Sequence, residues 1–213
     1  MAFDLQLSAT GLDELVTAIG DHARRAIPPA LTATARDVDD DLTAGLSIDL
    51  DNPTPFTQRA FDVWPASIAR PAAKVVMLPI QSRYLHWEIE GGQRAVKGFE
   101  LRIQGKTYKA YAVPGQDTPL DGHGNVSRAY ISRVIAELDR KGSGALYFVG
   151  APQNNQGKPA GVWQRDGNKL RPVFVFESST QYAPRYKWRD RAQASAEKWF
   201  PYRLAEALAK HAR

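Results

Sequence analysis

The segment AIPPALTATARDVDDDL, residues 26–42, decides the fold, because it sets two prolines inside a run that otherwise reads as helix. Each proline removes a backbone donor and crowds the preceding turn. The apolar stripe nonetheless keeps its phase. Leu12, Leu15, Val16, Ile19, Ala23, Ile27, Leu31, Val38 and Leu42 follow at helical spacing, and Ile27 and Leu31 lie one turn apart across Pro28 and Pro29. Residues 11–46 therefore read as one long helix bent at the prolines, with Thr10 as N-cap and Asp13 in a weak capping box. A stripe this long packs on a partner surface, either the core of its own subunit or a neighbouring copy.

On the N-terminal side, FDLQLSA alternates apolar and polar residues as a short strand does. On the other side lies DNPTPFTQRAF, residues 51–61. Asp51-Asn52 before Pro53 favours a turn, and Thr54 before Pro55 is pushed into extended backbone. The stretch reads as a stiff elbow whose Phe56 needs an apolar seat. Beyond it the pattern turns β-rich: AFDVW (60–64), AKVVMLP (73–79), YKAYAVP (108–114), ALYFVG, GVWQR and RPVFVFES read as strands. YLHWEIEGG (84–92) is an apolar strand or short helix that stops at a glycine pair, at least one of which takes a positive φ. QDTPLDGHGN (116–125) is turn-rich. SRAYISRVIAELDRKG (127–142) has helical spacing with Gly142 as its stop, and a final helix spans roughly 188–211 with Pro201 inside it. The expected fold class is α+β: a long kinked N-terminal helix, an antiparallel sheet with an inserted helix, and a C-terminal helix. We expect one domain over 1–213, with 1–50 as strand and long helix, 51–177 as β-rich core and 178–213 as helical segment.

The 213 residues are enough to bury a real core, and 43% hydrophobic with 24% charged residues is ordinary for a globular chain. Cysteine is absent, which removes disulfides, thiolate metal sites and thiol nucleophiles. No run approaches the roughly 18 apolar residues of a membrane span, and the N-terminus lacks the features of a secretory signal. A soluble, unprocessed protein with no membrane partner is expected. The net charge of +5 conceals an asymmetry: residues 1–50 carry nine acidic and three basic side chains, and 178–213 carry eight basic and three acidic. Segregated charge of this kind suits head-to-tail contacts between copies or a surface near a polyelectrolyte.

Catalytic signatures fail. The Gly157-Lys158 pair has Pro152 where a phosphate loop needs glycine, and Pro159 where it needs Ser or Thr. The four histidines lack zinc-ligand spacing, and no serine lies in a Gly-x-Ser-x-Gly setting. In DVDDDL (37–42), Asp39, Asp40 and Asp41 fan out by about 100° each, so only Asp37 and Asp41 share a helix face. DGHGN (121–125) is short of ligands for a calcium loop. The run YAPRYKWRDR (182–191) suits stacking and phosphate contact, or core anchoring by Tyr186 and Trp188 with the charges in solvent. No catalytic residue, metal or cofactor is assigned, and the chain is not expected to be an enzyme. The structural or interface candidates are Pro53, Pro55, Phe56, Tyr84, Glu88, Gly91, Gly92, Trp163, Asp39, Asp40, Asp41, Arg185, Trp188 and Arg189.

NPTPFTQRAF, YLHWEIEGGQR, YAVPGQDTPLDGHGNVSRAYI, YFVGAP, GVWQR and RPVFVFE occur in this order between about residues 51 and 177. Together they resemble the prophage minor tail protein Z family, the tail completion proteins of lambda-like bacteriophages. KWFPYRLAEALA fits that family's C-terminal helix. One departure is a tight RKGSG loop where relatives carry a longer basic insert before YFVG. The resemblance implies a structural virion protein of the tail or neck that completes the tail or joins it to the head, present in the host cytoplasm during assembly. Its implied partners are further copies in a closed ring, six being favoured, together with the tail terminator, tail tube and head-tail connector. Genomic DNA passing through the lumen is a further implied partner. In such a protein the elbow would turn the chain from long helix to sheet with Phe56 wedged between them. The alternative reading is a basic nucleic-acid-binding module.

Overall fold

A computed structural model describes residues 4–8, 20–104, 108–140, 144–153 and 157–211. Its elements run β1 (Asp4–Ser8), α1 (Asp21–Asp49), α2 (Pro55–Gln58), β2 (Phe61–Trp64), β3 (Ala72–Met77), α3 (Pro79–Glu90), β4 (Gly92–Gln93) and α4 (Gly98–Gln104). They continue as β5 (Tyr111–Pro114), α5 (Arg128–Leu138), β6 (Tyr147–Gly150), β7 (Gly161–Asp166), β8 (Lys169–Glu177), β9 (Gln181–Tyr182) and α6 (Trp188–His211). The α+β class expected from the sequence is the class observed. The domain division differs from the expected one. Met1–Gly91 together with Ala183–Arg213 form one compact unit, and Gly92–Tyr182 form a second. The natural boundary is therefore the glycine pair and Tyr182, rather than residues 50/51 and 177/178.

In the first unit, α1 runs without a break through Pro28 and Pro29. Thr10, Asp13 and the start of the expected helix lie outside the described residues; Gly20, at φ 72°, caps the described part. Ile27, Leu31, Val38, Leu42 and Leu46 are 3% exposed or less, so the stripe read from the sequence is the core face. Each such side chain contributes on the order of 1.5–3 kcal/mol of burial. This face packs on the three-stranded antiparallel sheet, ordered β1-β3-β2, whose central strand turns Ala73, Val75 and Met77 inward at every second residue. The other partner of α1 is α6, through Trp188, Ala192 and the half-buried Phe200, Leu204 and Leu208. Tyr186, just before α6, donates its buried hydroxyl to the Leu42 carbonyl at 2.8 Å.

The elbow, expected to be a stiff extended connector, holds a short helix. Thr54 is extended, as a residue before proline must be, yet it acts as N-cap: its hydroxyl accepts from the Thr57 N–H at 3.2 Å, and Pro55 occupies the first helical turn. α3 starts in the same way, with extended Leu78 before Pro79. It stops at Gly91, whose φ of 71° removes it from helical backbone, and Gly92 follows at φ 99°. At least one positive φ was expected here, and both glycines have one.

The second unit is a four-stranded antiparallel sheet, ordered β5-β8-β7-β6, with α4 and α5 supplying Ile103, Val134 and Ile135 to the core beneath Tyr147, Val162 and Phe174. Pro172 sits in β8, an interior strand, where a proline breaks a ladder. A β-bulge resolves the conflict: Trp163 pairs with Pro172 and Val162 with Phe174, so Val173 has no partner on β7. The Val173 carbonyl is instead satisfied by the Gly115 N–H at 3.0 Å and the Thr118 hydroxyl at 2.6 Å. α5 is capped by Ser127 and ends at Leu138, so Gly142, the expected stop, lies outside both the helix and the described residues.

Candidate functional site

The acidic cluster and the basic C-terminal segment meet inside the first unit. Asp37 receives a two-pronged hydrogen bond from Arg203, Nε and Nη2 each at 2.8 Å. One turn on, Asp41 accepts from the Ser195 hydroxyl at 2.7 Å and the Trp199 indole N–H at 3.3 Å. Arg191 reaches Asp49 at 3.1 Å. That last pair is possible because residue 45 is glycine: a Cβ there would stand 2.3 Å from Arg191 Nε. Hydrogen bonds to Asp37 and Glu206 hold the Arg203 guanidinium above its ordinary value. The charge asymmetry between the ends of the chain thus serves α1–α6 packing within one copy. Asp41 is committed to this seam, whereas Asp39 and Asp40 have no basic partner among the described residues. Burial, with the neighbouring charges of Asp40 and Asp62, pushes the Asp39 carboxyl up from 3.8.

A second seam joins three of the regions singled out in the sequence. Arg185 donates from Nε to Glu88 at 2.5 Å and from Nη1 to Asp51 at 2.9 Å, and these bonds hold its guanidinium above the usual range. The Arg185 and Tyr186 amides also bond the Glu88 carbonyl, each at 2.9 Å. Glu88 and Arg185 are therefore one contact, which ties the chain after β9 to α3 and to the start of the elbow. Trp188 and Tyr186 are buried, and Arg189 lies over the Trp188 ring at 5.3 Å. The run 182–191 is thus largely consumed by internal packing.

Phe56 is the clearest correction to the sequence reading. It is not wedged between helix and sheet; it is 45% exposed on α2. The elbow is held by polar contacts instead. Gln81 donates to the carbonyls of Phe56 and Arg59 at 3.2 and 3.3 Å, and the Thr57 hydroxyl meets the Tyr84 hydroxyl at 3.0 Å. Ile80 and Tyr84, one turn apart on α3, are 62% and 38% exposed, so α2 and α3 present Phe56, Ile80 and Tyr84 to solvent. Pro53 is half-buried and Pro55 exposed.

In the second unit, Glu100 is fully buried and accepts from Arg94 twice (2.6 and 2.8 Å), from the Lys97 N–H (2.6 Å) and from the Ala112 N–H (3.1 Å). Burial opposes its ionisation, yet these donors together hold the carboxyl below 4.5. The Arg94 carbonyl accepts from the Tyr111 hydroxyl at 2.6 Å, and the guanidinium lies 4.8 Å from that ring. Hydropathy patterning gives no hint of this centre, because a buried glutamate reads as surface until its arginine is in place. Trp163, the remaining sequence candidate, is buried at 3% on β7. The DGHGN turn is exposed and self-capped: Asp121 accepts from the His123 and Asn125 amides, each at 2.9 Å.

Among the described residues no group of three or more His, Asp or Glu side chains could hold a metal ion, and no helix is long and apolar enough to cross a membrane. The chain matches no family model, no curated protein and no solved structure.

Proposed function

We propose that the chain is a structural virion protein of a tailed bacteriophage or prophage, completing the tail or joining tail to head at the neck. One observation carries the reading: the two segments most specific to the resemblance present residues that the cores do not require. NPTPF displays Phe56 on an exposed helical turn, and LDGHGN forms an exposed turn closed by its own Asp121. Exposed apolar groups beside rigid backbone suit contact with a partner better than packing within the chain. In this reading the α2–α3 surface meets another tail or neck protein, such as the terminator, tube or head-tail connector. Several copies surround the tail axis, six by the resemblance.

The test is deletion in the phage that encodes the chain. Finished heads and finished tails should accumulate without infectious particles, and the protein supplied in trans should restore joining and appear in purified virions. Normal infectivity after deletion, or absence of the protein from particles, overturns the proposal.

A further inference from the structure

We infer that the second unit binds the phosphodiester backbone of duplex DNA, in a concavity beside the β7–β8 hairpin. Residues 92–182 carry thirteen basic and seven acidic side chains, a balance of +6. The rest of the chain carries fifteen basic and sixteen acidic, a balance of −1. The whole net charge of the protein therefore resides in the second unit. Within it lies an open concavity of about 830 Å³, lined by Lys158, Lys169, Arg171, Gln153, Asn168 and a single carboxylate, Asp117.

Arg171 is held at 2.6 Å by Asp166 across the hairpin, which fixes the wall. Lys158 and Lys169 are exposed and have no carboxylate partner among the described residues. The Lys158 ammonium lies 5.7 Å from the centroid of the buried Trp163 ring, within cation–π range. Lys169 and Arg171 are two apart on β8 and point to the same side, about 6.8 Å from each other.

The chemistry selects the ligand. Cations and two side-chain amides in an open, polar hollow cannot enclose a small molecule, whose sites are deep and mostly apolar. They can receive a polyanion that crosses the surface, with affinity from counterion release and little sequence preference. This inference differs from the 182–191 reading of the sequence, since in that run Arg185 and Arg191 are paired with carboxylates of the first unit and Arg189 lies over the Trp188 ring. It stands on the second unit's own residues, independent of the tail reading.

The experiment is fluorescence anisotropy of the full-length protein with a labelled duplex over a salt series, with a thermal melt of each variant as a folding check. Wild type should bind at low salt. Lys158→Gln with Lys169→Gln should weaken binding about tenfold at low salt and flatten the slope of log affinity against log salt by about 2. Asp117→Asn should tighten binding. Lys187→Gln with Lys198→Gln, in the first unit, should leave the slope unchanged. No binding by wild type at low salt overturns the inference, as does an unchanged slope in the Lys158 and Lys169 variant. Particle incorporation is a separate readout: a chain that binds duplex but is absent from virions breaks the tail reading and leaves this one intact.

Discussion

The two units handle charge in opposite ways. In the first, the acidic face of α1 lies along the basic face of α6, so that Asp37 meets Arg203 and Asp49 meets Arg191, while Asp41 takes hydrogen bonds from Ser195 and Trp199. In the second, one ion pair is sunk into the core, Arg94 with Glu100, while Lys158 and Lys169 stand exposed on a rim. Segments with a strong charge bias can therefore be silent to a partner, and a unit whose charges are dispersed in sequence can carry the whole excess. What matters is which charges face each other across a packed seam, because a paired charge attracts little at a distance and an unpaired one does.

The largest expected effect tests the buried pair. Glu100→Ala leaves Arg94, whose side chain is 12% exposed, without its counter-charge. Stranding a buried charge costs about 3–5 kcal/mol. Hydrogen exchange should show lost protection over β5 to β8 and retained protection in α1 and α6. Equal loss in both would mean that the units do not fold as separate cores. Because the Glu100 carboxyl lies below 4.5 in the fold, its contribution is present above 4.5 and is lost as pH falls through its folded value.

Smaller, and confined to the first unit, is the α1–α6 seam. The Asp37–Arg203 pair has side-chain exposures of 14% and 34%, so solvent screening keeps its contribution well below that of the buried pair. Asp37→Arg alone and Arg203→Asp alone should each lower the denaturation midpoint, and the double reversal should recover most of the loss. If the pair instead joined different copies, the double reversal would restore assembly with no effect on the midpoint of the isolated chain.

How far these seams were legible in the sequence depended on the kind of residue involved. The α1 helix was readable across Pro28 and Pro29 because Ile27 and Leu31 keep one phase, and burial then follows from the stripe. Asp37 and Asp41 were readable as a shared face from their spacing of four. Their partners were not, since nothing local pairs residue 37 with residue 203. The elbow misled because Thr54-Pro55 fits two structures equally: an extended connector, or an N-cap with proline in the first turn. Only the hydroxyl of Thr54 reaching the Thr57 amide decides between them. α4 escaped notice because its seven residues are too few to show a period, and its key side chain is a glutamate buried by tertiary pairing.

Asp39 offers an effect of opposite sign. Its carboxyl is pushed up from 3.8 by burial and by the charges of Asp40 and Asp62, so the folded state holds its proton more tightly than the unfolded chain does. Ionised Asp39 therefore costs stability at neutral pH. The cost fades as pH falls through the folded value toward 3.8. Asp39→Asn should raise the melting temperature of the first unit at pH 7, with the gain shrinking toward pH 4. A variant that melts lower than wild type would mean that Asp39 has a favourable partner.

The smallest effect on stability is expected at Phe56, the residue that the sequence alone would place in the core. A buried phenylalanine cut to alanine costs about 3–5 kcal/mol. At 45% exposure on a four-residue helix held by Thr54 and Gln81, Phe56 has little of that burial to lose. Surface substitutions of this kind stay within about 0.5 kcal/mol. Phe56→Ala should therefore leave the melt of the isolated chain nearly unchanged, as should Ile80→Ala one helix away. The same substitutions should lower incorporation into particles, because they strip apolar area from the surface proposed to meet a tail or neck partner. Pairing them with Tyr84→Phe separates the two roles. That change keeps the ring but removes the hydroxyl that meets Thr57, so it should loosen the elbow without reducing the apolar surface. A large drop in melting temperature for Phe56→Ala would return the residue to the core. Normal incorporation of a Phe56 and Ile80 double variant would remove the α2–α3 surface from the assembly.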